Sequence, residues 1–449
     1  MVRKVVEMRL AIYMLTAVCL TVTVYSQDAA ISFSSDDQAL VQGFNWAKQQ
    51  AMAYVFRNND PVGNWYEAAL PKREAFCMRD VSHQLVGAQL LGLADINKNL
   101  LSKFVAAISE SRDWCGYWEI NRYNLPAPVD YKSDQNFWYN LPANFDIIDA
   151  CYRAWLWTGD STYLADPVFE NFYKKSLNEY VKRWDPDGDG LMEGNADSTS
   201  SRGLSSYNEE QYGRVGVDLL AAQYLGNVDY SKMLLLRNNI AESKVYLNRA
   251  EKIRNHLNSN WWDAKNQLYH HYILYNGKWL DDKQMMSFLL RWDVVPAERA
   301  SAVIDHLISV IPQTCVEMNT YYPLETYRFG KAEDAYKLLV RLISPELKRR
   351  EYPEVSYAAI EAFALGLMGI EADAGSLTIR TRSRLTSSTK WAELKDIPAF
   401  DGTITLKHEG TTSSTLTNNT RGTIHWEPVI KGKSYYFILK PGQNCTITR

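Results

Sequence analysis

The spacings that mark metal and nucleotide chemistry are missing from this chain. It has no CxxC pair, no HExxH, no GxSxG elbow, no GxGxxG and no P-loop. Their absence argues against zinc hydrolysis of the HExxH kind, the α/β-hydrolase nucleophile and phosphate-cradling loops. Cysteine is scarce, with six in 449 residues. Cys19 falls in the N-terminal leader, and Cys77, Cys115, Cys151, Cys315 and Cys445 are scattered too widely to predict a zinc site or a disulfide framework. Charge of one sign is not in excess either: a net charge of -3 argues against nucleic acid as a partner.

What is present begins with Arg3, Lys4 and Arg9, an apolar run over 10–24, and small Ser26 before Gln27. This is the order of a secretory signal, and the run is short for a spanning helix. The expectation is a signal peptide over 1–26 and an exported protein, periplasmic or secreted, with no transmembrane segment after its removal. Val18 ahead of Cys19 argues against lipid attachment there.

From 38 to 373 the apolar residues recur at threes and fours, which predicts helices. They are placed at 38–57, 80–93, 95–111, 144–158, 161–183, 208–225, 231–260, 281–290, 296–310, 319–329, 331–343 and 353–369. Short and long connections alternate, so six helical hairpins in a ring are expected, an (α/α)6 barrel over 27–373 with its long loops gathered at one mouth. From Gly375 the period changes to two, in TITLKHEG, GTIHWEP, SYYFILK and CTITR. That predicts short strands and a β-sandwich module over 374–449.

The densest polar stretch is 65–84, WYEAALPKREAFCMRDVSHQ, ahead of an apolar helical run. It offers Glu67, Arg73, Glu74, Arg79, Asp80 and His83 at a helix start. Acids beside arginines have their charge state and orientation set by those neighbours, which suits proton transfer or a grip on hydroxyls. Ordinary ion pairs at a helix end are the bland alternative. The second long loop, 112–143, adds Trp114, Trp118, Glu119, Asp130, Asp134 and Trp138. Aromatic faces with charged acceptors are what a carbohydrate pocket needs, and aromatics make up 12% of the chain.

Two further acids, Glu351 and Glu354, flank Pro353 at the start of the last helix, where the helix dipole favours the anion. Ring closure would bring them to the first loop, and with Glu74 they would form the carboxylate pair of glycoside hydrolysis. Glu317 and Glu325 come next if neither faces the mouth. The run DPDGDG at 185–190 begins like a calcium loop, but its twelfth position is Ala196 rather than Glu, so the EF-hand reading fails and a tight turn is expected, with a nonstandard calcium site at Asp185 to Asp189 left open. No metal site and no cofactor are expected.

On these residues the chain resembles the six-hairpin glycosidases, most nearly the bacterial α-L-rhamnosidase type. That family carries a Pro, Arg, Glu run followed by Trp and Asp in its first mouth loop. Pro71, Arg73, Glu74 and Asp80 match it, while Met78 stands where the Trp would fall and Ala69 where a further acid would. The likeness continues through DACYRAWLWTGD at 149–160, Gly369 with Ile370, and the trailing β-module. The resemblance implies an inverting hydrolase of oligo- or polysaccharides, with terminal rhamnose or another plant-polysaccharide sugar as the expected substrate. Glu74 would be the general acid, Glu354 or Glu351 the base, Arg73, Arg79, Asp80, His83 and Glu119 the hydroxyl partners, and Trp114, Trp118 and Trp138 the stacking walls. Two rivals stand beside it. A polysaccharide lyase would use Tyr207, Tyr212 or His83 as base and Arg73 and Arg79 against a uronate. A non-catalytic glycan-binding protein would account for Met78 and Ala69. Sugar identity and oligomeric state are left open.

Overall fold

The computed structural model describes residues 31–194, 202–207, 213–281 and 286–449. The expected signal peptide and Tyr212 lie outside the described residues. The body is helical and the C-terminal part is built of strands. Helices are labelled here as α1 Gln38–Ala53, α2 Met78–Leu90, α3 Ala94–Ala106, α4 Ala143–Thr158, α5 Pro167–Lys175, α6 Val217–Leu236, α7 Ile240–Asn260, α8 Met286–Arg291, α9 Ala297–Val310, α10 Tyr322–Arg328, α11 Ala332–Ile343 and α12 Pro353–Glu361.

The even-numbered helices differ from the odd-numbered ones in how much of their circumference is covered. On α2 every residue but Arg79 is buried, whereas α7 buries only Ser243, Tyr246, Ala250, Ile253 and Leu257. A helix wetted along one side keeps a polar face, and one surrounded by neighbours does not. The contacts run in a circuit: α12 on α2, α2 on α4, α4 on α6, α6 on α8, α8 on α10, and α10 on the π-helical continuation of α12 at Ala362–Leu367. Among the described residues, no helix is long and apolar enough to cross a membrane.

Glycines permit close crossings between inner helices at two places. A Cβ on Gly87 of α2 would lie 2.2 Å from the Tyr357 carbonyl oxygen of α12, and one on Gly226 of α6 would lie 2.9 Å from the Phe145 ring of α4. Gly226 explains one departure from expectation. Its neighbourhood reads as a break between helices at 225–231, yet α6 runs through it because the missing side chain admits Phe145. The break falls instead at 237–239, where Asn238 takes a positive φ of 58° and the Asn239 side chain caps α7 at Glu242 N. The residues expected to begin this helix, 208–212, lie outside the described residues.

The strand region holds a five-stranded sheet in the order Ser32–Ser35, Trp391–Ala399, Gly402–Glu409, Ser413–Asn419, Asn444–Thr448. A second sheet centres on Thr378–Thr381 and Ile424–Ile430. Leu394, Leu406 and Leu416 alternate inward with polar residues outward, the period-two pattern of a half-buried sheet. The strand Ser32–Ser35, antiparallel to Trp391–Ala399, is not in the sequence reading. It puts the start of the described chain into the C-terminal sheet. Buried His408 ties the sheet to the helices through the Met368 carbonyl.

Candidate active site

A cavity of about 710 Å³ opens where the loops before α2, α4 and α12 meet. Its geometry starts with a short strand pair. Ala75–Cys77 runs antiparallel to Glu119–Asn121, with Cys77 opposite Glu119, and the Met78 amide donates to the Trp118 carbonyl. Cys77 then caps α2, its Sγ accepting from the Asp80 amide at 3.5 Å. This pairing carries Trp118 and Glu119 to Arg73, Arg79 and Asp80 in one wall. Arg73 donates from Nε to Glu119 at 2.9 Å and from Nη2 to Asp130 at 3.1 Å. Arg79 donates from Nε to Asp80 at 2.8 Å and from Nη1 to the Ser206 carbonyl at 2.7 Å. The Arg79 guanidinium also lies over the Tyr207 ring, 4.3 Å from its centroid, and 5.5 Å from that of Trp118.

The floor is Glu354, in the first turn of α12 and 2% exposed. Its Oε1 accepts the hydroxyls of Tyr207 and of Tyr321, the latter at 2.6 Å, and lies 3.4 Å from His83 Nδ1. Burial raises the Glu354 carboxyl above its ordinary range, against the pull of Arg79 and of both tyrosines. Burial also raises Glu119, and neighbouring Asp130 adds to the rise while Arg73 opposes it. Asp80 is pushed up to about 6, by burial first and then by the Glu354 charge, with Arg79 pulling down. The cavity therefore holds buried carboxyl groups able to keep or take a proton near neutral pH, the property a general acid or base requires.

Of the residues singled out in the sequence, Arg73, Arg79, Asp80, Trp118, Glu119, Asp130, Trp138, Tyr207 and Glu354 line this cavity, together with Glu317. Glu74, Glu351, Trp114 and His83 do not. Glu74 takes a left-handed turn with φ 54°, is 54% exposed at its side chain and pairs with Arg122 at 2.7 Å. That turn places Glu74 against Arg122, outside the lining of the cavity that Glu354 floors, rather than facing Glu354 across it as expected. Glu351 is exposed on the turn before Tyr352, the N-cap of α12. Trp114, at φ 62°, packs against the core with the Lys175 ammonium over its ring at 4.6 Å. His83 is buried beneath Glu354 rather than open to a ligand. Glu325 is buried, both its oxygens lack a hydrogen-bond partner among the described residues, and burial pushes it up to about 8. It does not line the cavity.

Three residues take parts the sequence reading did not assign. Tyr321 has no motif around it, and only proximity in space reveals its bond to Glu354. Asp130 and Arg349 were visible as loop polars, and the structure shows them pairing with Arg73 and Glu317, the latter at 3.1 Å. Each arginine of the lining thus already faces a carboxylate, which leaves Arg73 and Arg79 poor receptors for a uronate. Tyr207 is equally poor as a lyase base, since burial and the Glu354 charge push its hydroxyl well above the usual tyrosine range.

The DPDGDG turn lies elsewhere. Asp185, Asp187 and Asp189 each bring one carboxylate oxygen within 4.8 Å of the others. Their oxygens accept backbone N–H groups of Gly188, Asp189, Gly190 and Leu191. Turn geometry accounts for these acids.

No protein-family model and no curated protein matches the chain. Among solved structures it is similar to the GH78 family rhamnosidase of Bacillus sp. GL1, with a TM-score of 0.62 and 14% identity over 86% of this chain and 40% of that one. It is also similar to the α-L-rhamnosidase of Aspergillus terreus, with a TM-score of 0.64 and 12% identity over 93% and 50%. A structure titled as a sialidase matches with a TM-score of 0.59 and 10% identity over 93% and 41%. The chain thus spans half or less of the length of each. What is shared at such identities is the fold, and in fold the chain is similar to these rhamnosidases.

Proposed function

We propose that this chain is an exported glycoside hydrolase acting on oligo- or polysaccharides, with an (α/α)6 barrel over 27–373 and a β-sandwich over 374–449. The circuit of contacts from α2 back to α12 supports the barrel. The single observation that carries the activity is the cavity itself, where Glu354 and Glu119, both buried and both raised, share a polar chamber walled by Trp118 and Trp138.

In this reading Glu119 replaces Glu74 as general acid. A carboxyl held protonated by burial can give its proton to the leaving glycosidic oxygen. Glu354 is the base. Its Oε1 is taken up by Tyr207 and Tyr321, which leaves Oε2 to draw a proton from attacking water. A water between two carboxyl groups gives inversion at the anomeric carbon. Arg79 with Asp80, and Arg73 with Asp130, hold sugar hydroxyls, and Trp138 supplies a stacking face. Because the arginines are already paired, the sugar at the floor is neutral, as terminal rhamnose or another plant-polysaccharide sugar would be.

The test is a panel of plant and host glycans incubated with the full chain, with released sugars identified and the first-formed anomer read by NMR. Release of a neutral sugar as the inverted anomer is expected. Products absorbing in the near ultraviolet as unsaturated uronides would establish the lyase. Tight binding with no release across the panel would establish a glycan-binding protein, and either result would overturn the hydrolase.

A further inference from the structure

Behind Glu354 lies a line of polar groups of which Tyr207 lines the cavity while His83 and Asp146 do not. His83, on α2, is 1% exposed, and Asp146, in the first turn of α4, is 3% exposed. His83 Nδ1 is 3.1 Å from the Tyr207 hydroxyl, and His83 Nε2 is 4.0 Å from Asp146 Oδ1. We propose that Asp146, His83 and Tyr207 form a one-way hydrogen-bond relay ending on Glu354 Oε1, which makes Asp146 and His83 positioning residues for the carboxylate. Its catalytic meaning rests on the hydrolase reading, while its geometry does not.

The direction follows from counting protons. Tyr207 has one hydroxyl hydrogen and gives it to Glu354. Its oxygen can then only accept from His83, so Nδ1 must carry the imidazole hydrogen. A neutral ring has one N–H, so Nε2 is left as a lone pair. Among the described residues that nitrogen has no partner within ordinary hydrogen-bond length, and it faces Asp146 Oδ1 at 4.0 Å. Two lone pairs facing each other in a buried site repel, so in the proposed relay the carboxyl brings the proton; 4.0 Å is too long for a hydrogen bond, and a rotation of the Asp146 side chain toward Nε2 is what would close the line. The groups around the ring agree with neutrality. Arg79 from its own helix, Arg153 from α4 and Arg291 from α8 oppose a cationic imidazole, as burial does first, against the weaker pull of Asp149. Burial, with the charges of Asp149 and Asp218, holds Asp146 well above the usual carboxylate range, against Arg291 and Arg79. The rings of Tyr321 and Phe288 close the remaining sides, 5.5 and 5.6 Å from the His83 centroid.

The consequence is a carboxylate that receives hydrogen bonds on one oxygen and cannot turn. Loss of Asp146 or His83 would loosen the hold on Glu354 Oε1 without removing a group that lines the cavity.

The experiment uses the full chain labelled with ¹⁵N-histidine, its seven histidines assigned by single substitution. His83 is expected as the neutral Nδ1–H tautomer with no titration between about pH 5 and 8. An imidazolium, an Nε2–H tautomer or a titration in that window overturns the relay, and this reading on the unmutated chain depends on no variant folding. In Asp146→Asn the amide N–H replaces the acid as donor and the Nε2 resonance stays in place, whereas in Asp146→Leu it moves to the position of a free lone pair. Equal shifts in both variants would overturn Asp146 as donor. On a glycan identified by the panel, Asp146→Leu is expected to lower kcat roughly tenfold or more with KM unchanged, and Asp146→Asn to restore it. Equal losses in both would overturn the positioning role. The tautomer is read without substrate, so a correct tautomer in a chain that hydrolyses nothing would sink the hydrolase and leave the relay standing.

Discussion

Two acids of this molecule sit at similar places in the sequence pattern and in opposite surroundings. Glu354, at the start of α12, is buried and receives two tyrosine hydroxyls above a second layer of His83 and Asp146. Glu74, four residues ahead of α2, is half exposed and faces Arg122. A carboxylate in the first setting has its proton affinity tuned by burial and its orientation held by donors, while one in the second is screened by water. The difference teaches that the helix-start motif brings acids near a mouth and that strand register decides which of them enters it. Cys77 opposite Glu119 turns Glu119 inward and leaves Glu74 outside.

The largest effect expected is from Glu354→Gln, which keeps the side-chain shape and removes the base. Turnover should fall about 10²- to 10⁴-fold with the melting temperature little changed, read by kinetics and calorimetry on one preparation. A folded variant with near-normal rate would erase the contrast between the two acids.

Next come the tryptophans of the cavity wall. Trp118 is 7% exposed, belongs to the core and packs edge-on against Tyr139, so Trp118→Ala should cost about 3–5 kcal/mol of stability. Trp138 is only partly buried, and Trp138→Ala should weaken glycan binding while leaving the denaturation midpoint near that of the parent. Denaturant titration beside ligand binding separates them, and equal stability losses would make Trp138 a core residue too.

Asp80 provides a smaller, pH-dependent effect. Its folded value of about 6 lies above that of the unfolded chain, so between about pH 4 and 6 the folded state binds more protons and stability falls as pH rises. The cost is complete above pH 6 and absent below pH 4, about 3 kcal/mol for a shift of this size. Asp80→Asn should flatten that stretch of the stability curve. An unchanged slope would mean that Asp80 is charged throughout.

Glu74→Gln marks the other end. An exposed pair such as Glu74 with Arg122 is screened by water and adds little to stability, and turnover should stay within a few-fold of the parent. A loss as large as that of Glu354→Gln would return Glu74 to the general-acid role that its motif suggests.

Much of the helical body was legible from threes-and-fours spacing, since α1, α4, α9, α11 and α12 begin within a residue of where periodicity puts them. The strands after Gly375 were legible for the same reason at period two. What escaped were features made by distant partners. Nothing near Ser32 announces pairing with Trp391–Ala399, and nothing near Tyr321 announces Glu354. Gly226 looks like a helix break until Phe145 is seen against it. Within the site, Arg73, Arg79, Asp80, Trp118, Glu119, Trp138 and Glu354 were recoverable because their loops are dense in charge and aromatics. The exclusion of Glu74, Glu351 and Trp114, and the placement of His83 below the floor, depend on backbone φ angles and on register that local composition does not encode.

The central claim is that sugar chemistry happens over Glu354. The most direct measurement is a crystal structure of Glu354→Gln soaked with the glycan that the panel identifies. The account predicts a sugar ring beside Trp138, its scissile oxygen toward Glu119 and its anomeric carbon above residue 354. A sugar seated on the Glu74 and Arg122 shoulder, with the cavity empty, would contradict it.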